Sequence, residues 1–520
     1  VSDPISDLGP ATAEPRTSEA RQQVRGSSLL LLGRVLAAVI GFATQVLIVR
    51  HLSKSDYGVF AYGLSIVVLA QTATTLGLDR AVSRFVPIYE ERGERDKALG
   101  TIAAVVGAVA ALGALVVIAA QLLDHVVAGS FTNDTRAVRV VLVLVLLAPI
   151  EAIDNLLIGL FAVFDRPRLI FVRRFLLGPV LRLGVVILLM SVDSDVHFLA
   201  TGYVVTGAVG VALYSGVLLK VLRSACLLGP GALRSMHVPA KELLFFALPL
   251  FTTDLVLVML EATDAILLGH FGDAGDVAEL RAVQSVGRLN QLVLASFGLL
   301  FTPLAARLFA RQEQAAIRRL YWQTAVWVAV LSFPLFIVSF SLAEPVTLLL
   351  FGSRYERSAP ILAVLAFGYF FNAALGFNGL TLNVHGLVRS VVAINLAAVV
   401  ANLILNLVLI PWLGPIGAAI GTAATLVAQN VLRQVVLARR TGIPAFDRGM
   451  IDVYVLMAGG AGAVAVVQLL FAPPLAIGLL LAALVSAAVL ARARHSMELA
   501  DAFPELARLP LLRYLTRARR

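Results

Sequence analysis

Cysteine, lysine and histidine are scarce in this chain, and charge of either sign is thin: one cysteine, seven histidines and 14% charged residues over 520 positions. The single cysteine, Cys226, excludes an internal disulfide and any cysteine-rich metal centre. Lysine is confined to positions 54, 97, 220 and 241, so arginine carries nearly all the positive charge. His51 and His270 stand at the ends of apolar runs with no second His, Cys or carboxylate at ligand spacing, which argues against a metal site. No P-loop or dinucleotide-binding fingerprint occurs, which argues against direct drive by ATP. No polar stretch is long enough to fold as a soluble domain of ordinary size.

What is present instead is apolar sequence: 59% apolar residues and a mean hydropathy of +0.90, more than a soluble core would contain. A membrane span needs about 20 predominantly apolar residues. Runs of that size predict fourteen helices, at 28–49, 57–78, 99–122, 139–163, 170–191, 198–220, 242–268, 278–304, 321–342, 359–382, 390–411, 416–437, 451–471 and 475–491. The net charge of +10 and pI near 10.1 would suggest nucleic acid for a soluble protein. Here the basic residues collect in alternate breaks, among them Arg80, Arg84, Arg92, Arg95 and Lys97, then Arg166, Arg168, Arg173 and Arg174, then Arg307, Arg311, Arg318 and Arg319. The other breaks hold few, for example Arg50 with Lys54, and Arg281. That asymmetry predicts a multi-pass protein of the cytoplasmic membrane with both termini in the cytoplasm, attraction to anionic lipid, and no nucleic-acid partner.

The expected organisation is all-α. Residues 1–26 form an unfolded polar tail. A six-helix bundle covers 27–222, a linker 223–241 and a second six-helix bundle 242–440. Two appended spans occupy 441–492. In the basic tail, 493–520, Leu499, Phe503, Leu506, Leu509 and Leu512 recur at helical spacing, as in a helix lying on the inner leaflet. The two bundles follow from an internal register. LIVRHLSKSDYGV, a span, and SRFVPIYEERGERDKAL parallel ILLGHFGDAGDV, a span, and PLAARLFARQEQAAIRRLY, with His51 aligned to His270.

The stretch RGSSLLLLGRVLAAVIGFATQVLIVRHLSKSDYGVFAYGLSIVVLAQTATTLGLDRAVSRFVPIY resembles the opening of polysaccharide-type flippases in the multidrug/oligosaccharidyl-lipid/polysaccharide exporter superfamily. NLILNLVLIPWLGPIGAAIGTAATLV, from Asn402 to Val427, is similar to a late span pair of that family. The resemblance implies a V-shaped pair of bundles around a central cavity, alternating access, and transfer of a lipid-linked oligosaccharide from the inner to the outer face. A lipid pyrophosphate would be the handle of that cargo.

Candidate site residues follow from charge at membrane depth, where a lone ionised side chain costs at least about 2.5–3.5 kcal/mol. The seventh span carries Asp254, Glu261 and Asp264. Reflection about the turn near Asp273 puts Arg288 between the depths of Asp254 and Glu261, so one acid is neutralised and the rest are free to hold H⁺ or Na⁺. Cation coupling is therefore assigned to Asp254, Glu261 and Asp264. Arg34 and Arg288 are expected to receive phosphate, for which the planar guanidinium fork is suited; for Arg34, snorkelling to inner headgroups is the open alternative. Glu151 and Arg182 lie equally far from the turn at residues 166 and 167, with Asp154 one helical turn from Glu151, and are expected to form an intramembrane ion pair. Asn372, Asn378, Asn402 and Asn406 could contact sugar hydroxyls or join helices. Pro149, Pro179, Pro249, Pro303 and Pro334 fall inside spans, where they bend a helix or form a hinge.

The expected function is a non-enzymatic flippase for a polyprenyl-diphosphate-linked oligosaccharide in surface-glycan assembly, driven by an ion gradient, with no cofactor beyond H⁺ or Na⁺. Its partners would be the lipid-linked oligosaccharide, anionic lipids and glycan-assembly enzymes. A peptidoglycan-precursor flippase and a cation-coupled multidrug exporter are the alternatives. A membrane glycan polymerase or ligase is disfavoured because the outer breaks span only about 15 residues or fewer.

Overall fold

The computed structural model describes residues 15–122, 135–225, 227–228 and 236–494, so the expected amphipathic tail lies outside the described residues. The chain is a succession of long helices: α1 (Pro15–His51), α2 (Lys54–Glu91), α3 (Arg95–Leu122), α4 (Arg136–Val163), α5 (Pro167–Val192), α6 (Val196–Ser224) and α7 (Ala240–Phe271). There follow α8 in two pieces (Ala274–Arg288 and Asn290–Ala310), α9 (Gln314–Ser341), α10 (Ser353–Val384), α11 (Val388–Leu413), α12 (Pro415–Thr441), α13 (Ile451–Phe471) and α14 (Leu475–Ala493). Among the described residues thirteen helices are long and apolar enough to cross a membrane, or fourteen if the bent helix 290–310 counts as one span. The fold is all-α, as expected.

Local chemistry sets the helix ends. Ser53 caps α2 by accepting from the Asp56 amide, Asp195 caps α6, and Asp273 with Asp276 forms a reciprocal capping box on α8. Pro415 opens α12, where a missing N–H costs nothing. Helix α1 starts at Pro15, so residues 15–26, expected in the unfolded tail, are helical; Glu19, Ala20, Arg21, Gln22 and Gln23 are good helix formers.

Two breaks divide the helices nearest the midline. In α2, Leu76 and Gly77 take left-handed conformations (φ +46° and +70°), and the helix resumes at Leu78. Glycine suits this point twice over, since a Cβ on Gly77 would also lie 2.8 Å from the Ala247 carbonyl of α7. In α8 the segments 290–298 and 301–310 meet at 41°, in the turn where Pro303 withholds a backbone donor. The second piece of α2, Leu78–Glu91, replaces the loop expected from its charges. Leu78, Ala81, Val82, Val86 and Tyr89 bury one face while Arg80 and Arg84 project from the other.

Helix boundaries repeat. Adding 219, the separation of His51 and His270, to the limits of α2 through α6 reproduces those of α8 through α12 within two residues. Burial shows how the halves join. At the end carrying His51 and His270, one apolar core runs through both halves, from Ile48 and Tyr62 to Leu268, Val277 and Phe351. At the opposite, arginine-rich end there are two cores. One holds Val82, Val86, Leu156 and Phe161 of the first half, and the other Phe301, Tyr321, Trp322 and Phe377 of the second. The start of α7, at Leu243 and Ala247, belongs to the first of these, so α7 leans across the midline.

Candidate functional site

Between the halves lies a cavity of about 850 Å³, walled by α1, α2, α4, α5, α6, α7 and α8. Five arginines face it, Arg173, Arg174, Arg182, Arg281 and Arg288, against three carboxylates, Glu151, Asp154 and Glu261. The excess of guanidinium makes the interior cationic.

On the first-half wall the reflection argument finds its pair: Arg182 Nη2 donates to Glu151 Oε1 at 2.6 Å, and the Arg182 guanidinium lies over the Tyr203 ring. Asp154 does not share that cation. It accepts from Arg173 Nε at 2.7 Å, and the Arg173 side chain is only 6% exposed. Arg173, at the start of the expected span 170–191 and grouped with the charges of the preceding break, is carried inside by a π-helical turn, Phe171–Leu177, that re-phases the start of α5. Gly210 on α6 clears space for it, since a Cβ there would stand 2.6 Å from Arg173 Nη2.

Beyond Glu242 in its first turn, α7 carries three acids, which lie in three different settings. Asp254 pairs with Arg80 of α2, a contact across the halves near the arginine-rich end, where Phe246 also packs against Phe85 and under Arg84. Glu261 lies 3.9 Å from Arg288 Nη1, with both side chains partly exposed to the cavity. Asp264 is fully buried. Its Oδ2 accepts long hydrogen bonds from Gln284 Nε2 and Thr422 Oγ1, both at 3.4 Å, and its Oδ1 has no partner. No cation among the described residues pairs with it. Arg281, one turn from Gln284, donates to Gln284 Oε1 at 2.7 Å, Ser65 Oγ at 2.9 Å and the Glu261 carbonyl at 3.0 Å, tying α8 to α2 and α7. The other end of the cavity is shut by Lys54 with Glu279 and by the close approach of Gly58 to the Ala274 carbonyl.

The remaining candidates lie elsewhere. Arg34 is exposed on α1, one turn before Ala38 on the cavity wall. Asn378 Nδ2 donates to Asn430 Oδ1 at 3.2 Å, Asn430 Nδ2 to Asn372 Oδ1 at 2.8 Å, and Asn406 Nδ2 to Asn402 Oδ1 at 3.1 Å. The first two bonds join α10 to α12, the third lies within α11, and none of these amides lines the cavity. Sequence reasoning missed Arg80, Arg173, Arg281, Gln284 and Thr422 as site residues. Arg80, Arg173 and Arg281 read as charges of the breaks, although the expected spans 170–191 and 278–304 already contain the last two; the His51 to His270 register sets Arg281 opposite Tyr62.

The described geometry has known counterparts. Residues 23–309 match the polysaccharide biosynthesis protein family, and residues 249–408 match the MatE family. An uncharacterized membrane protein of Methanocaldococcus jannaschii is 24% identical over 430 residues, covering 78% of this chain and 82% of the relative. Stage V sporulation protein B of Bacillus subtilis is 24% identical over 138 residues, 26% and 27% of the two chains. Among solved structures, the lipid II flippase MurJ in an inward closed conformation superposes with a TM-score of 0.67 at 13% identity, over 91% of this chain and 98% of that one. An inward-facing multidrug resistance MATE family transporter gives 0.59 at 15% identity, over 79% and 98%. The chain therefore belongs to the polysaccharide biosynthesis protein family, the polysaccharide transporter type within the multidrug/oligosaccharidyl-lipid/polysaccharide exporter superfamily.

Proposed function

We propose that this transporter flips a polyprenyl-diphosphate-linked oligosaccharide outward across the cytoplasmic membrane, with the diphosphate held in the central cavity. The observation that carries this reading is the excess of arginine there, five guanidinium groups against three carboxylates around about 850 Å³. Guanidinium gives phosphate two parallel charge-assisted hydrogen bonds, and a water-filled cleft lets the sugars stay hydrated. An exporter of organic cations would call for the opposite sign, which disfavours the drug-efflux alternative. The excess of arginine at one end supports placing that end in the cytoplasm.

Coupling is assigned to Asp264. Of Asp254, Glu261 and Asp264 on α7 it is the one enclosed without an ion-pair partner, and its unpartnered Oδ1 is the place for a proton or Na⁺. Losing or gaining that ion changes how α7 is held to Thr422 of α12 and Gln284 of α8. Arg288 and Arg281 are the expected phosphate ligands at the second-half wall, with Arg182 opposite.

The test is transfer of a fluorescent polyprenyl-diphosphate oligosaccharide in vesicles holding the purified protein, with and without H⁺ and Na⁺ gradients. Gradient-dependent transfer that Asp264→Asn uncouples is expected. A parallel strain lacking the gene should accumulate the lipid-linked glycan inside. If lipid-linked glycans are unchanged and drug sensitivity rises, the reading is wrong; accumulation of a peptidoglycan precursor would reassign the cargo.

A further inference from the structure

A sixth arginine is partly buried among α10, α11 and α12, away from the cavity. Arg433 is on α12, eight residues before its end at Thr441, which places it about 12 Å along the helix from that end. Its Nη2 donates to Asn395 Oδ1 on α11 at 2.6 Å, and the same oxygen accepts from Gln429 Nε2 at 3.1 Å. Nothing else described satisfies it. Arg433 Nε is buried with no partner, and no carboxylate among the described residues reaches the guanidinium. Gly379 of α10 faces it, where a Cβ would come within 3.6 Å of Cζ, Nε and Nη1.

Among the cavity arginines, Arg173, Arg182 and Arg288 each have an acid within 4 Å, and Arg281 has three neutral acceptors of its own. Arg433 has one amide oxygen that it shares. Nor is it arranged to escape to the nearer membrane surface. Helical Cα–Cβ bonds tilt toward the N-terminus, so the stem of Arg433 starts away from Thr441, and its acceptor is shared with Gln429, one turn farther in. A guanidinium fixed at that depth by neutral amides is a cation awaiting an anion, because the hydrogen-bond acceptors around it supply no charge.

We propose that Arg433, oriented by Asn395 and Gln429, is a second phosphate site, in the second half of the transporter, taking a phosphate of a membrane-embedded lipid. The chemistry fits two sources alike, the headgroup of an anionic phospholipid and the diphosphate of an isoprenoid carrier. The site is independent of the cavity reading and would exist whatever the transporter carries.

Binding, not transport, tests it. The full-length protein is purified, stripped of lipid, and titrated with short-chain phosphatidylglycerol, farnesyl diphosphate or phosphatidylcholine, with affinity followed by native mass spectrometry. The expected result is that Arg433→Gln weakens one anionic probe about tenfold, the scale of a lost charge-assisted contact, while Arg433→Lys loses less and phosphatidylcholine is indifferent. Loss confined to phosphatidylglycerol identifies a membrane lipid; loss confined to farnesyl diphosphate identifies the carrier handle. If R433Q does not fold, Asn395→Leu retains the cation and removes the acceptor that orients it, and a several-fold loss is then expected. Anionic probes that bind R433Q, or failing that N395L, as they bind the wild type overturn the proposal.

Discussion

The two halves share their helix boundaries and differ in what they enclose. At an offset of 219 residues, Glu151, Asp154, Arg173 and Arg182 of the first half correspond to Phe370, Ala373, Val392 and Ala401 of the second. Where α4 of the first half sets charges along a cavity, its counterpart α10 is packed: Phe370 stacks on Phe336 with ring centroids 4.2 Å apart, and Ala373 is fully buried, while Val392 of α11 is exposed. The reverse holds on the helices that cross the midline. Arg281, Gln284 and Arg288 of α8 face Tyr62, Ser65 and Leu69 in the repeat, and Asp264 corresponds to Gln45. Apolar spacing preserves a bundle, so the same scaffold tolerates a charged wall in one copy and a filled one in the other. The polar work is divided accordingly, with fixed ion pairs on the first half and the unpaired acid on the second.

The strongest way to break this comparison is to give the first half the composition of the second one residue at a time. Asp154→Ala leaves the nearly buried Arg173 without its acid, and a loss of about 3 kcal/mol is expected, seen as a lowered unfolding midpoint in detergent. Arg173→Met added to Asp154→Ala removes both charges and keeps volume; most of the stability should return while transport does not. If the single and double variants unfold alike, the pair is not what holds that wall. The next largest effect is expected from Gly58→Ala, whose Cβ would fall on the Ala274 carbonyl at 1.6 Å, a backbone contact that no rotamer can relieve. Overpacking of this kind costs about 1–3 kcal/mol, and parting the halves relieves it. Spin labels at Ser55 and Arg357 should therefore move apart; an unchanged distance would show that the closure does not depend on this contact.

How much of this the sequence discloses depends on the separation of the partners. Reflection about a short turn pairs residues on adjacent antiparallel spans: it found Glu151 with Arg182 and set Arg288 between the depths of Asp254 and Glu261, of which the structure brings Glu261 to it. It is blind to Arg80 with Asp254, 174 residues apart and joined only because α7 leans onto α2. Hydropathy finds the fourteen helices because lipid requires long apolar runs, and it stops at Leu78 because the next turns are amphipathic. The same averaging includes Arg173 in the span at 170–191 without fixing the face it takes, since a π-helical turn that re-phases a helix leaves no mark on mean polarity. Asp264 was legible as an acid at depth. That it alone of three would lie without a cation was not, since this depends on which cations reach its neighbours.

Two smaller substitutions sharpen the contrast between walls. Gly210→Ala would bring a methyl within 2.6–2.9 Å of the Arg173 guanidinium, and its equivalent in the second half is Gln429, so the requirement for glycine is specific to the charged wall. The far end of an arginine can give way, so stability should change by less than about 1 kcal/mol, while displacement of Arg173 from Asp154 slows transport a few-fold. Equal transport by G210A and the wild type would mean that the position of Arg173 is not used.

The smallest effect belongs to Glu261→Gln. At 3.9 Å from Arg288, with Glu261 62% and Arg288 37% exposed, this pair is screened by cavity water and contributes at most about 0.5 kcal/mol. The unfolding midpoint should therefore barely move, and dependence on the ion gradient should persist, in contrast to Asp264→Asn one helical turn away. Removing Glu261 also leaves Arg288 with less competition for an anion, so the variant should bind the proposed diphosphate cargo slightly more tightly and release it more slowly. A Glu261→Gln protein that loses its gradient dependence would move the coupling site from the buried acid to the exposed one, and with it the claim that enclosure without a cation marks the residue that carries the ion.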